Sequence, residues 1–211
     1  MSADVSRIRL RVDARQNRDR IVEVARRLFA ERGLDVPMAA IARHAGVGVA
    51  TLYRRFPTKE SLVKEVFAEQ FAECVSVVDD ALADPDPWRG FCTVIEKVTV
   101  MHAVDRGFCA AFGEAVDFEQ ERDRGLRGFA DLVRRAKETG QLRADFVPGD
   151  VTLVFKANGG LAADSVEAAV AASRRLVAYL LEAFRGDRTD PVIPLPPPAP
   201  LSLGDIAHLS S

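Results

Sequence analysis

Apolar residues recur at intervals of three and four along most of this 211-residue chain, the spacing that places them on one face of an α-helix. The first such run extends from Asp13 to Gly33, where a glycine favours the end of a helix. Two shorter runs follow, separated by the turn Gly46-Val47-Gly48, and the second ends at Pro57. No segment shows the strict alternation typical of a strand, so the pattern predicts an all-α fold.

The first three predicted helices lie close together in sequence, and their apolar faces can pack on one another. Two short helices joined by a glycine turn, spanning about twenty residues, are typical of a helix-turn-helix. Val49, Ala50, Thr51, Arg54 and Arg55 are then left on the outer face of the third helix. The predicted shared core consists of Ile21, Val24, Ala25, Leu28, Phe29, Ile41, Ala42, Ala45, Val47, Leu52 and Phe56.

Longer helices are predicted after Pro57. Thr58 is a candidate N-cap for the fourth, although Ser61 stands where a capping box usually has Glu or Gln, which predicts an incomplete box. Pro87 is placed to open a fifth helix, and further helices run up to Gly140, from near Val151, and from Val166.

The charge is distributed unevenly. The first 60 residues hold 13 Lys and Arg against 7 Asp and Glu, whereas the remainder holds 16 against 24. A basic first part attracts a polyanion such as DNA, because binding neutralises phosphates and releases their counterions. Charge alone is equally compatible with an ordinary solvated surface.

Motifs for catalysis are missing from the sequence. It has three histidines and no HExxH, GxSxG or P-loop, and its Gly46-Val47-Gly48 turn follows a helix rather than a strand. We therefore expect no enzyme, no cofactor and no metal. A structural or adaptor protein that binds another protein through the same helices is the remaining alternative. Cys74, Cys92 and Cys109 show no CxxC spacing and suggest reduced, buried thiols.

Location and membrane association are also predicted from composition. No apolar run approaches the roughly 20 residues needed to cross a bilayer, and no secretion signal is recognised. We expect a cytoplasmic protein with no membrane partner.

Two stretches resemble a known family. Residues 41–62, IARHAGVGVATLYRRFPTKESL, are similar to the signature of the tetracycline-repressor-like (TetR) family, and residues 25–33, ARRLFAERG, resemble its first helix. Together they comprise 31 of the 211 residues, a match far more specific than a short motif. The resemblance implies a homodimer that binds a near-palindromic double-stranded DNA operator and most often represses transcription until a small-molecule effector binds.

The resemblance also implies roles for individual residues. Thr51 matches the family's base or phosphate contact, while Tyr53 and Lys59 match its phosphate contacts. Arg55 stands where histidine is common, and Gly48 replaces a common serine, which predicts a weaker cap on the third helix. The predicted DNA-binding residues are Arg43, Val49, Ala50, Thr51, Tyr53, Arg54, Arg55 and Lys59.

The larger second part carries weaker signals. Its aromatic and apolar residues predict either a pocket for a small apolar or amphipathic effector or simply a core. The pocket candidates are Phe91, Ile95, Met101, Phe108, Phe112, Phe129 and Phe155. The last two helices resemble the family's dimer interface, which would be a four-helix bundle with two-fold symmetry. Its candidate residues are Ala169, Leu176, Leu180 and Phe184.

The predicted organisation is thus an N-terminal three-helix helix-turn-helix domain followed by a larger helical ligand-binding and dimerisation domain. Residues 1–12 are predicted to be a flexible basic arm, 13–58 the DNA-binding domain, and 59–186 the effector-binding and dimerisation domain. Six prolines within residues 191–200 predict a disordered tail over 187–211.

Overall fold

The computed structural model describes residues 2–105, 107–108, 111, 119–161, 163–187 and 194–201, with the backbone alone for 2–15 and 119. The described residues form helices and no strand, which confirms the all-α prediction. The helices are α1 (Ser2–Arg32), α2 (Met38–His44), α3 (Val49–Arg55), α4 (Lys59–Ala83), α5 (Pro87–Val104), α6 (Glu119–Glu138), α7 (Asp150–Gly159) and α8 (Val166–Phe184).

The start of α1 differs from the sequence prediction. Residues 2–12 were expected to form a flexible arm, but they continue the same helix that carries the core positions of α1. The physical reason is that no glycine or proline interrupts the chain between Ser2 and Arg32, and its arginines, alanines and leucine are good helix formers. The arm prediction is therefore wrong for the described residues 2–12.

The predicted core of α1–α3 is confirmed. All its members are buried except Val47, which is half-buried. Gly33 and Gly46 adopt positive φ angles of 72° and 62°, a conformation that favours glycine, and these two residues end the helices before the turns. Pro37 is the N-cap of α2 rather than its first residue.

The cap of α4 is more complete than predicted. Ser61 N–H donates to Thr58 Oγ1 at 3.1 Å, and Thr58 N–H donates to Ser61 Oγ at 3.3 Å. A serine hydroxyl thus takes the part usually played by a Glu or Gln side chain in a capping box. The prediction that Ser61 leaves the box incomplete is wrong, because a short hydroxyl can also accept this bond.

The second part of the molecule is a bundle in which α4, α5 and α6 pack closely and α5 also contacts α7 and α8. Glycines permit the closest approaches. A Cβ at Gly90 would lie 2.6 Å from the Ala81 carbonyl oxygen, and one at Gly128 would lie 2.8 Å from Val78 Cγ1. The C-terminal half of α4 is therefore held tightly between α5 and α6.

The C-terminal end of α8 is tied to the segment after α6. Arg143 N–H donates to the Phe184 carbonyl at 3.0 Å, and Gly186 N–H donates to the Gln141 carbonyl at 2.8 Å. Further on, Leu195 N–H donates to Asp145 Oδ2 at 2.9 Å, while residues 194–200 are exposed. Disorder over 187–211 stays a prediction. In the described part of the chain, no helix is long and apolar enough to span a membrane.

Candidate nucleic-acid interface and apolar cavity

Helix α3 is held by one face and leaves the other open. Leu52 and Phe56 are buried beneath it, and the Gly48 carbonyl accepts from Thr51 N–H and Leu52 N–H at 2.9 and 3.1 Å. Gly48 provides no side-chain cap, as predicted. Packing against α2, rather than capping, therefore fixes the direction of this seven-residue helix.

The open face of α3 exposes large side chains to solvent. Tyr53 is 46% exposed, and Val49 is exposed to a similar degree. Ala50, Arg54 and Arg55 are exposed as well, and Thr51 is half-buried. Small side chains at the N-terminal end of such a helix allow close approach to base edges in a major groove.

Four cations belong to α3 and to the helices before and after it: Arg43 in α2, Arg54 and Arg55 in α3, and Lys59 at the start of α4. None of them forms an ion pair with a side chain that the structure describes. Their charges are thus available for phosphates, which account for much of the affinity of proteins for DNA.

Two other arginines of the basic N-terminal part connect helices. Arg26 Nη2 donates to the Val66 carbonyl at 2.7 Å, and Arg18 forms an ion pair with Glu65 at 2.6 Å. Both contacts join α1 to α4. Nothing in the sequence near Arg18 or Arg26 identifies a partner some forty residues away, so these contacts were not predicted.

An apolar cavity of about 60 Å³ lies among α4, α5, α6 and α7. Among the described residues, its charged wall residues are Glu121 and Arg122, at the start of α6. Arg122 Nε is buried and donates to no acceptor among the described residues. The rest of the wall consists of Phe71, Cys74, Val75, Val78, Val94, Val98, Gly125, Leu126, Phe129, Val151 and Phe155.

Comparison with known proteins supports the assignment suggested by the helix-turn-helix. The family model for bacterial regulatory proteins, tetR family, matches residues 21–66. An HTH-type transcriptional regulator of Staphylococcus aureus is 46% identical over 54 residues, which cover 25% of this chain and 29% of that relative. A TetR transcriptional regulator of Streptomyces coelicolor is similar over 81% of this chain and 99% of its own, with 26% identity and a TM-score of 0.53. The chain belongs to the TetR family.

A more distant structure shares only the fold. The regulator FadR of Bacillus subtilis, solved in complex with stearoyl-CoA, is 16% identical with a TM-score of 0.52, over 77% of this chain and 96% of its own.

The predicted pocket residues of this TetR-family chain fall in different places. Phe129 and Phe155 line the cavity, whereas Phe91, Ile95 and Phe108 are fully buried core residues outside its lining. Met101 borders a separate groove on the other side of α5, and Phe112 lies outside the described residues. Val75, Val78, Val94, Val98 and Val151 were missed as wall residues because aliphatic positions carry no signal that separates a wall from a core.

Rings connect the cavity wall to α1. Phe155 lies 5.0 Å from His102, which lies 5.7 Å from Phe108, and Phe108 lies 6.0 Å from Phe67, all between ring centroids. Phe67 in turn lies 6.2 Å from Phe29 in α1. The ring-to-ring contacts therefore run from α7 through α5 and α4 to the first helix.

The predicted dimer residues lie on a partly exposed surface of α8. Ala169, Leu176, Leu180 and Phe184 are half-buried within a single chain, and Leu180 and Phe184 also pack on the core. Tyr179 is 60% exposed on the same helix. Large exposed side chains on α7 and α8 also include Leu153 and Val166.

The described cysteines are unreactive by their surroundings. Burial raises the pKa of the Cys74 and Cys92 thiols to about 12, which keeps both protonated at neutral pH. Cys109 lies outside the described residues. Among the described residues, no group of three or more His, Cys, Asp or Glu side chains is placed to hold a metal ion.

Proposed function

We propose that this TetR-family chain is a homodimeric, sequence-specific DNA-binding transcription regulator, and that it is a repressor released from a near-palindromic operator by a small-molecule effector. The observation that carries the DNA-binding part is the open face of α3. It combines small, exposed side chains with four neighbouring cations that have no ion-pair partner among the described residues. In this proposal Val49, Ala50 and Thr51 meet base edges, while Arg43, Tyr53, Arg54, Arg55 and Lys59 bind phosphates.

The dimer is proposed to form through α7 and α8. Apolar side chains exposed in a single chain, Tyr179 above all, gain stability when a symmetric partner covers them. Two helices from each chain would form a four-helix bundle. The bundle would set the separation of the two α3 helices, which must be about 34–36 Å to reach successive major grooves on one side of B-DNA.

Effector binding is proposed to act through α4. The cavity of about 60 Å³ is smaller than the roughly 300–1,000 Å³ of usual ligand pockets, so a ligand must displace its walls. One wall is the middle of α4, whose C-terminal half is held by the close packing at Gly90 and Gly128. Its N-terminal half is tied to α1 by Arg26 and Arg18, so a displaced α4 would carry the helix-turn-helix with it.

The DNA-binding part is tested by a gel-shift titration against the promoter region of the protein's own gene, followed by selection of bound fragments from random duplexes. We expect a specific complex whose affinity falls steeply with salt, and selected sequences with two symmetric half-sites. Failure to bind any duplex at modest ionic strength would rule out the proposal. Capture of a protein partner without DNA binding would favour the adaptor alternative.

The effector part is tested by spin-label distances between the two copies of a cysteine introduced at Ala39, an exposed position of α2. We expect an effector that lowers operator affinity about 5- to 150-fold to change this distance. The unsubstituted protein carried through the same labelling reports any signal from the native cysteines. An unchanged distance in the presence of such an effector would contradict the movement of α4.

A further inference from the structure

The proposed effector cavity has one polar feature that its apolar walls do not explain. Arg122 lines it from the first turns of α6, and its Nε is shielded from solvent while no described residue accepts its hydrogen. A buried donor without an acceptor is unfavourable, so a ligand that brings an acceptor to it gains affinity.

We propose that the effector is an amphipathic monocarboxylate, with an apolar body among the cavity walls and its carboxylate bound by Arg122. This inference rests on the proposed function, since it concerns the same cavity. A guanidinium is always charged and presents parallel N–H groups that match the two oxygens of a carboxylate. The pair would form at the edge of an apolar site, where charge-assisted hydrogen bonds are stronger than in water.

The other charged wall residue argues less strongly for a cationic ligand. Glu121 is exposed to solvent. Its charge is therefore hydrated and screened by salt, whereas Arg122 Nε is not hydrated. A carboxylate is thus the ligand group that would accept a hydrogen bond from Arg122 Nε, which has no acceptor among the described residues.

The hydrocarbon part of the cavity wall defines the apolar part of the ligand. Phe129, Phe155 and Val98 present only hydrocarbon to the cavity. Gly125 lines it without a side chain, and a Cβ there would make ordinary contact with Val75 Cγ2 at 4.0 Å. Each methylene group of a ligand that is buried there adds to its affinity through the hydrophobic effect. We therefore expect affinity to rise with the length of the alkyl chain.

The test compares three ligands of equal length, octanoate, octan-1-ol and octylamine, by isothermal titration calorimetry of the full chain at pH 7.5. We expect octanoate to bind at least about ten times more tightly than either of the others, a difference of about 1.4 kcal/mol. In an Arg122→Met variant this preference should disappear. Arg127→Met is the matched control, because Arg127 is an exposed arginine of the same helix outside the cavity wall, and it should leave the preference intact.

Operator binding by the same protein, measured in gel-shift titrations, separates this inference from the proposed function. If octan-1-ol or octylamine binds wild-type protein as tightly as octanoate, the carboxylate proposal is wrong although the cavity remains an effector site. If none of the three binds while the operator still does, the carboxylate proposal is likewise overturned and DNA-binding regulation stands.

Discussion

The arginines around α3 and those of five ion pairs among the described residues of the second region have opposite surroundings. On the face around α3, Arg43, Arg54 and Arg55 have no carboxylate partner among the described side chains. In the second region, five arginines form ion pairs with nearby carboxylates: Arg89 with Asp84, Arg124 with Asp79, Arg134 with Asp131 and Glu138, Arg143 with Asp145, and Arg185 with Asp187.

Composition alone therefore does not show which charged side chains are available to bind a partner. In the second region, neighbouring carboxylates neutralise the guanidinium groups, and Arg143 holds the pKa of the Asp145 carboxyl well below its usual range. Around α3 the same residue type is left unneutralised, which keeps a positive potential on that surface. The net charges of the two parts of the chain do not show which individual arginines are paired with a carboxylate.

The largest effect is expected where a negative charge enters the α3 face. Ala50→Glu would place a carboxylate against base edges and phosphates, a like-charge contact that costs several kcal/mol. Operator affinity should fall at least about 100-fold in gel-shift titrations, while the free energy of unfolding changes by less than about 0.5 kcal/mol. Ala72→Glu, an equally exposed substitution on α4, is the control and should bind the operator normally. Equal losses in both variants would contradict the assignment of this face.

Glycine substitutions test the close packing of the second region. Gly90→Ala forces a Cβ within 2.6 Å of the Ala81 carbonyl oxygen, so the free energy of unfolding should fall by about 1–3 kcal/mol in urea titrations. Gly125→Ala is the matched case, because its Cβ meets only ordinary contact at 4.0 Å from Val75. There the better helix propensity of alanine should stabilise the protein by about 0.5–1 kcal/mol. A stabilising Gly90→Ala would mean that α4 and α5 are not packed as described.

The two regions should also differ in their response to acid. Burial lowers the pKa of His102 to about 4, below its ordinary value of 6.5. As the pH falls, this histidine therefore takes up a proton in the unfolded chain before it does so in the folded chain. The stability that neutral His102 provides is complete above about pH 6.5 and is lost as the pH falls towards 4. Between pH 6.5 and 5 the loss should be about 2 kcal/mol in urea titrations.

Two variants assign that loss to a residue. His102→Gln should lack most of the pH dependence in this interval, whereas His44→Gln should keep it, because His44 is exposed on α2. Identical pH profiles for wild type and His102→Gln would show that His102 titrates normally in the folded protein.

The smallest effects compare one arginine from each region. Arg54→Gln should remove one phosphate contact from each subunit, so the slope of log affinity against log salt should become less steep by about 2, with a loss of affinity of about tenfold. Arg134→Gln should leave the slope unchanged and cost less than about 1 kcal/mol of stability, since its ion pairs are largely exposed. A similar change of slope in both variants would erase the distinction between the regions.

Much of the first region was predictable because its determinants are local. The glycines at 33 and 46, Pro57 and the apolar spacing of α1–α3 each act within one or two turns, and the predicted core was confirmed. The predictions that failed there concern what extends a helix or completes its cap. Residues 2–12 lack a stop signal and become helical, and Ser61 replaces a longer acceptor.

The second region was predictable as helices but not as a site. Apolar periodicity finds the face of a helix that is buried, yet it does not tell which other helix covers each residue. Phe91 and Phe129 therefore looked alike in sequence, although only Phe129 borders the cavity. Nothing in the sequence singled out Arg122. The lack of an acceptor for its Nε among the described residues becomes evident only when α4, α5, α6 and α7 are packed around the cavity.

The amino-acid sequence by itself determined the helix-turn-helix, the family resemblance and the separation of a basic from an acidic part, because these follow from short-range spacing and from residue identity. The packing of the helices established which side chains line the cavity and how α1 is tied to α4. The cavity wall brings together residues as far apart in the sequence as Phe71 and Phe155, and Arg26 binds the Val66 carbonyl from another helix. Such contacts are set by the packing of whole helix faces, for which no single stretch of the chain carries a pattern.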